Sequence, residues 1–187
     1  NNRKEIDQVH YSKLLRDELS SRDFTINAIA MSHSGKLTDA YRGYEDIIKK
    51  KVRVIGNSRY RFSENPISML KAIRFVSQYN FKLTNKTYFG IKLNRKKLDN
   101  VSPKLIAYEI TAILSGKYYR KALDLIIALK LYKHIPSLTH VFKLQYNKYH
   151  KFTNEEFFLI AFVLNNQIDE NYLLLLDDVP RRDMFTG

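Results

Sequence analysis

Ser21-Arg22-Asp23-Phe24-Thr25-Ile26-Asn27-Ala28-Ile29-Ala30 decides the reading of this chain, together with Arg61-Phe62 and Met69-Leu70-Lys71-Ala72-Ile73-Arg74-Phe75 further on. The first run passes from charged to apolar within a few residues. Its apolar part, 24–31, meets the turn signal Ser34-Gly35 and then Lys36-Leu37-Thr38-Asp39, which predicts a short hairpin ending a sheet begun upstream. Arg42-Gly43 is a second break. Residues 44–50 fit a short helix, and Val52-Arg53-Val54-Ile55 reads as extended up to Gly56. Asp46 and Arg53 are expected to serve structure, as an ion pair.

Beyond Gly56 the pattern turns helical. Asn65-Pro66 reads as a helix start, because Asn caps well and Pro is favoured at the first helical position. Ile67, Leu70, Ile73 and Val76 then recur at helical spacing. Ser102-Pro103 repeats the start signal, Leu105, Ile106, Ile110, Ile113 and Leu114 make an apolar face, and Gly116 is a stop. Further helices are expected over 118–131, from the capping-box spacing of Thr153 and Glu156 to about residue 165, and over 168–176. The expected fold is mainly α: a small β-containing part, residues 1–56, followed by helices over 57–116 and 117–187.

The chain has 187 residues, with 32 Lys and Arg against 19 Asp and Glu, a net charge of +13. An excess of this size favours an anionic partner, with nucleic acid first because each phosphate contact releases condensed counterions. An anionic membrane surface ranks below it. There is no cysteine, which excludes disulfides and thiolate chemistry and fits a reducing, cytoplasmic setting. The five histidines show no metal-ligand spacing. The longest apolar run, Phe157 to Leu164, is far short of the roughly 20 residues that span a bilayer.

In order and spacing, the motifs quoted above resemble those of the class II tRNA nucleotidyltransferases (CCA-adding enzymes) and bacterial poly(A) polymerases. The resemblance is strongest over residues 19–75 and weakens beyond about 136. It implies that residues 1–56 are the remnant of a nucleotidyltransferase head, 57–116 a neck that reads the nucleotide, and 117–187 a helical body that touches tRNA. It implies ATP and CTP as substrates and Mg²⁺ as cofactor. Nucleotidyl transfer uses two metal ions held by close carboxylates. No Asp-x-Asp pair occurs here; Glu5-Ile6-Asp7 lacks a glycine-rich lead-in, and Asp177-Asp178 read as a solvated acidic turn. No residue is therefore assigned to catalysis or to metal, and the catalytic head is expected upstream or on another chain.

In the resembling family the Arg of Arg-Asp-Phe-Thr contacts the incoming nucleotide, which implies that role for Arg22; the alternative is a salt bridge to Asp23. Thr25 and Asn27 are expected to fix local hydrogen bonds. The base-reading helix of the family opens Glu-Asp-x-x-Arg, with two further basic residues at steps of three. This chain has Glu64-Asn65-Pro66-Ile67-Ser68, then Lys71 and Arg74. Asn65, Ser68, Lys71 and Arg74 are thus the candidate nucleotide-binding positions beside Arg22. An amide both donates and accepts where a carboxylate only accepts, and Ser does not replace a guanidinium fork. Asn65 also reads as the cap of its helix. The segment that in the family reads Glu-Arg-Ile is here Lys104-Leu105-Ile106, whereas Glu109 matches.

Lys117-Tyr118-Tyr119-Arg120-Lys121 interleaves cations with rings, a pattern suited to phosphates and unpaired bases. Two functions remain open. One is the nucleotide- and RNA-binding portion of a CCA-adding enzyme. The other is an eroded, non-catalytic RNA-binding paralogue, which the changes at 65, 68 and 105 favour. A poly(A) polymerase of the same family differs from the first only in specificity.

Overall fold

The computed structural model describes residues 13–135. The helices expected near 153–165 and 168–176, and the acidic pairs at 5–7 and 177–178, lie outside the described residues. A helix over 13–21 (α1) leads into the motif run. After a 3-10 turn at Thr25–Asn27, strands β1 (Ile29–Met31) and β2 (Leu37–Asp39) form the expected antiparallel hairpin, with Ala30 opposite Thr38. Gly35 closes its turn at φ 81°, a left-handed conformation that glycine adopts without strain.

Helix α2 (Gly43–Ile48) starts where expected. The Asp39 carboxylate accepts from the backbone N–H groups of Gly43 (2.8 Å) and Tyr44 (2.9 Å), two donors the first turn leaves unpaired. Strand β3 (Lys51–Val52) pairs in parallel with β4 (Lys82–Leu83). That link spans thirty residues, and no local pattern announces it.

The neck differs from the expectation at its start. Asn57 accepts from the N–H groups of Arg59 and Tyr60 and opens a separate helix, α3 (Ser58–Glu64). Asn65 follows that helix, its N–H still bonded to the Arg61 carbonyl at 2.9 Å. The next helix, α4, begins only at Ser68 and runs to Tyr79. The Asn65 side chain is therefore no cap: its amide finds a carboxylate partner instead. Pro66 stands in the turn between the two helices.

Helix α4 is the centre of the core. Met69, Leu70, Ala72, Ile73 and Val76 are buried in one cluster with Ile91 of α5 (Asn85–Asn94), Ile110 of α6 (Pro103–Leu114) and Leu123 of α7 (Tyr119–Ala128); α4 packs on α6 and α7, and α5 on α3. Pro103 opens α6 as its sequence predicts. Helix α7 is shorter than the expected 118–131, and Leu131–His134 form a 3-10 turn. Where α6 passes to α7, the Ser77 hydroxyl donates to the Ile113 carbonyl and the Tyr118 N–H donates to the Ser77 carbonyl at 2.7 Å. Gly116 fits this crossing because it lacks a side chain: a Cβ there would lie 2.1 Å from Ser77 Oγ. Gly116→Ala is expected to destabilise the chain by about 1–3 kcal/mol through overpacking. Urea denaturation measures it, and an unchanged midpoint would show that the helices separate without loss.

Candidate nucleotide and RNA site

The motif run is held by the backbone before it is held by side chains. The N–H of Thr25 donates to the Arg53 carbonyl and the N–H of Ile55 to the Asp23 carbonyl, both at 3.0 Å. Phe24 thereby lies antiparallel to Val54, and its ring meets Phe75 of α4 edge-on, centroids 5.8 Å apart. Beneath it, the buried Asp46 accepts from Thr25 Oγ1 at 2.7 Å and from Arg53 Nε and Nη2 at 2.9 and 3.1 Å. Burial alone would push the Asp46 carboxyl up; the hydrogen bonds from Arg53 and Thr25 outweigh it and hold the group below its ordinary value. The expected ion pair is present. Arg61 donates to the carbonyls of Ser20 (2.8 Å) and Ser21 (3.1 Å), acceptors left open by the end of α1.

Arg22 does not pair with Asp23. Its guanidinium meets Glu18, one turn back on α1, at 2.6 Å, and both side chains are more than half exposed. An exposed pair of this kind is held by about 0–1 kcal/mol, so an anion can displace it. Asp23 turns the other way, toward α4. Its carboxylate accepts from Asn65 Nδ2 at 3.2 and 3.4 Å, and Lys71 Nζ stands 3.8 Å away. Two of the candidate residues, Asn65 and Lys71, are thus brought together by a residue that sequence inspection considered only as a partner for Arg22. The one available signal was a carboxylate beside that arginine.

Ser68 and Arg74 are placed differently. Ser68 is fully buried, with its hydroxyl bonded to the Asn65 carbonyl, and it presents no surface to a ligand in this conformation. Arg74 lies with its Nε 3.2 Å from Glu109 Oε2 on α6. That oxygen is buried, and the pair is near enough for attraction but not aligned as a hydrogen bond. Burial raises the Glu109 carboxyl above its ordinary 4.5, and the nearby Arg74 and Lys71 pull it part of the way back.

The Lys-Tyr segment forms the turn into α7. Lys117 and Lys121 stand 5.8 and 5.6 Å from the centre of the Tyr118 ring, and Lys121 donates to Asn80 Oδ1 at the end of α4 at 2.6 Å. Arg120 lies over Tyr119 at 5.9 Å. Both rings are half-buried, and Tyr119 packs on the core, while Lys117, Arg120 and Lys121 are exposed. Elsewhere, a cleft of about 410 Å³ between α1 and the hairpin, lined by Leu15, Arg16, Met31 and Lys36 among others, contains none of these residues. Among the described residues no group of three or more His, Asp or Glu is gathered to hold a metal, so they do not fit a magnesium site. No helix among them is long and apolar enough to cross a membrane.

Fold and site together define the end of a small β head joined to a helical neck, with polar and cationic side chains gathered where they meet. The family description "Poly A polymerase head domain" matches residues 1–53, and "Probable RNA and SrmB- binding site of polymerase A" matches residues 80–142; between them they cover more than half of the chain. A CCA-adding enzyme of Bacillus cereus (strain Q1) is 38% identical over 130 residues, 70% of this chain and 33% of that enzyme. The solved structure of the Bacillus stearothermophilus CCA-adding enzyme in complex with CTP is 34% identical, with a TM-score of 0.66 over 69% of this chain and 33% of that one. The Thermotoga maritima CCA-adding enzyme complexed with tRNA shares the fold at a TM-score of 0.61 and 23% identity, over 91% of this chain and 46% of that one. The chain belongs to the poly(A) polymerase and tRNA nucleotidyltransferase family, and it spans about a third of the length of the curated relatives it matches.

Glu109 yields a pH test. A carboxyl raised by folding favours the folded state below its unfolded value, here 4.5, and that contribution is lost as pH rises through the folded value. Glu109→Gln removes the titration. Urea denaturation from pH 4 upward is expected to show the native chain losing stability relative to this variant as pH rises; parallel profiles would contradict the assignment.

Proposed function

We propose that this chain is the nucleotide- and RNA-binding portion of a tRNA 3′-end CCA-adding nucleotidyltransferase, with CTP and ATP as nucleotides, tRNA as the acceptor and the cytoplasm as its place. The observation that carries this reading is the meeting of the motif run with α4, where Asp23 gathers Asn65 and Lys71. Similarity to an enzyme solved with CTP supports it. In this reading residues 1–56 are the end of the head, 57–116 the neck and 117–187 the body. Arg22 exchanges Glu18 for the triphosphate, a substitution of one anion for another that its exposure permits. Asn65 and Lys71 face the base. Arg74 adds positive charge beside them while Glu109 fixes its direction. Lys117, Arg120 and Lys121 take RNA phosphates, and Tyr118 and Tyr119 stiffen that turn and offer ring edges. Magnesium belongs to the complete reaction, and its ligands are sought outside the described residues.

A second reading, an eroded paralogue that binds RNA without using nucleotide, is favoured by Ser68, whose burial leaves no side chain where the family has a guanidinium. Calorimetric titration of the chain with CTP and ATP, and with tRNA lacking its 3′ CCA, separates the two. The first reading predicts binding of all three. Arg22→Ala weakens both nucleotides by about tenfold or more, as expected for a charge-assisted contact, and spares tRNA. The salt dependence of tRNA binding becomes shallower by about one phosphate contact in Lys121→Ala. Binding of tRNA alone would favour the paralogue, and nucleotide binding indifferent to Arg22 would remove that residue from the site.

A further inference from the structure

We propose that Arg61 is a positioning residue for triphosphate binding: it occupies the open carbonyls at the end of α1 and so leaves the Arg22 guanidinium held by nothing stronger than Glu18. The inference rests on the nucleotide reading above and goes beyond it in naming what keeps Arg22 available to an anion.

Every acceptor at the end of α1 has a donor. A helix leaves its last four carbonyls without a partner inside it. In α1 these belong to Glu18, Leu19, Ser20 and Ser21. The Ser21 hydroxyl donates to the Glu18 carbonyl at 2.7 Å, and the Arg22 N–H donates to the Leu19 carbonyl at 3.4 Å. Arg61 takes the other two: its Nη2 donates to Ser20 at 2.8 Å and its Nη1 to Ser21 at 3.1 Å. Two of the four donors thus sit on one side chain that comes from α3, forty residues beyond Ser21. A planar guanidinium fork suits two neighbouring acceptors, and the C-terminal end of a helix favours a cation.

Arg22 is the cation that these carbonyls would otherwise draw. It follows Ser21 directly, and its guanidinium lies back along the same last turn, with Nη2 2.6 Å from Glu18 Oε1. A hydrogen bond from a charged group to a carbonyl is worth more than an exposed ion pair. Were Ser20 and Ser21 open, Arg22 would have fixed acceptors to satisfy as well as Glu18, and an incoming triphosphate would compete with all of them. With Arg61 in place it competes with Glu18, the one partner of the Arg22 guanidinium among the described residues. Arg61 is itself tied to the site. Its own carbonyl accepts from the Asn65 N–H at 2.9 Å, and the Asn65 side chain donates to Asp23, the residue after Arg22. These contacts close a ring from the end of α1 to α3, to the turn before α4 and back to the motif run. The backbone is held on both sides of Arg22 while its side chain stays exposed.

The test has two arms on the full chain. The first needs no nucleotide and follows the Nε–H signal of the Arg22 side chain by NMR, assigned by its loss in Arg22→Ala. In the native chain Glu18→Gln shifts this signal, because Glu18 is what Arg22 holds. In Arg61→Ala, Arg22 has turned to the freed carbonyls, and Glu18→Gln leaves the signal in place. The second arm is calorimetric binding of CTP to the native chain, Arg61→Ala, Arg22→Ala and the double variant. Arg61→Ala is expected to weaken CTP by about tenfold, the scale of a hydrogen bond made by a charged group, and by less than about twofold once Arg22 is already Ala. An Arg61 that only braces α1 against α3 predicts equal losses in both backgrounds and an Arg22 signal that answers to Glu18 throughout. Either result overturns the inference and leaves the nucleotide reading standing. Where Arg22→Ala binds CTP too weakly to measure, the first arm decides. Arg61→Lys keeps the charge but brings one nitrogen to two carbonyls, so it shows the same pattern in weaker form. Equal losses for this variant in both backgrounds overturn the inference even if Arg61→Ala does not fold. A native chain that does not bind CTP overturns the nucleotide reading and this inference with it.

Discussion

The carboxylate of Asp46 is the constraint on which the junction depends. It is buried on α2, and its three partners come from the motif turn and from the segment that follows β3. A buried carboxylate without partners is strongly unfavourable, so Thr25, Asp46 and Arg53 are ordered together or not at all. Once they are ordered, Phe24 lies against Val54 and points at α4, and the backbone of Asp23 is fixed by Ile55. From there the side chain of Asp23 meets Asn65 and Lys71. The candidate site is thus built from the core outward.

A second layer of polar contacts sets the orientation of helices rather than their existence. Arg61 closes the end of α1, Ser77 and Gly116 fix the crossing of α4 with the α6–α7 turn, and Arg74 meets Glu109 between α4 and α6. Each lies beside a large apolar contact that provides most of the stability. The apolar core would tolerate small rotations of α4; these contacts hold it in register, so the polar face of the helix keeps its position relative to the motif run.

Much of this was legible in the residues. The hairpin, the short helix after Arg42-Gly43, the Asp46–Arg53 pair and the Pro103 start all follow from signals within a few positions of one another. What failed to be legible depends on distant partners. Asn65-Pro66 has the form of a helix start, yet Asn57 caps the preceding helix and Asn65 is drawn to a carboxylate forty-two residues away. Arg22 and Asp23 are adjacent and opposite in charge, but they lie in the bend that follows α1 and find different partners, Arg22 on α1 and Asp23 at Asn65 in the turn before α4. Ser68 begins α4 on the inner face, which a count along the helix could not reveal while its first residue was misplaced.

The central claim, that nucleotide binds where the motif run meets α4, is tested most directly by amide-detected NMR of the isotope-labelled chain titrated with CTP. The account predicts the largest shifts at Arg22, Asp23, Lys71 and Arg74 and at the side-chain NH₂ of Asn65, with the hairpin strands β1 and β2 unmoved. Shifts confined to the hairpin cleft, or a spectrum that CTP leaves unchanged at saturating concentration, would contradict it.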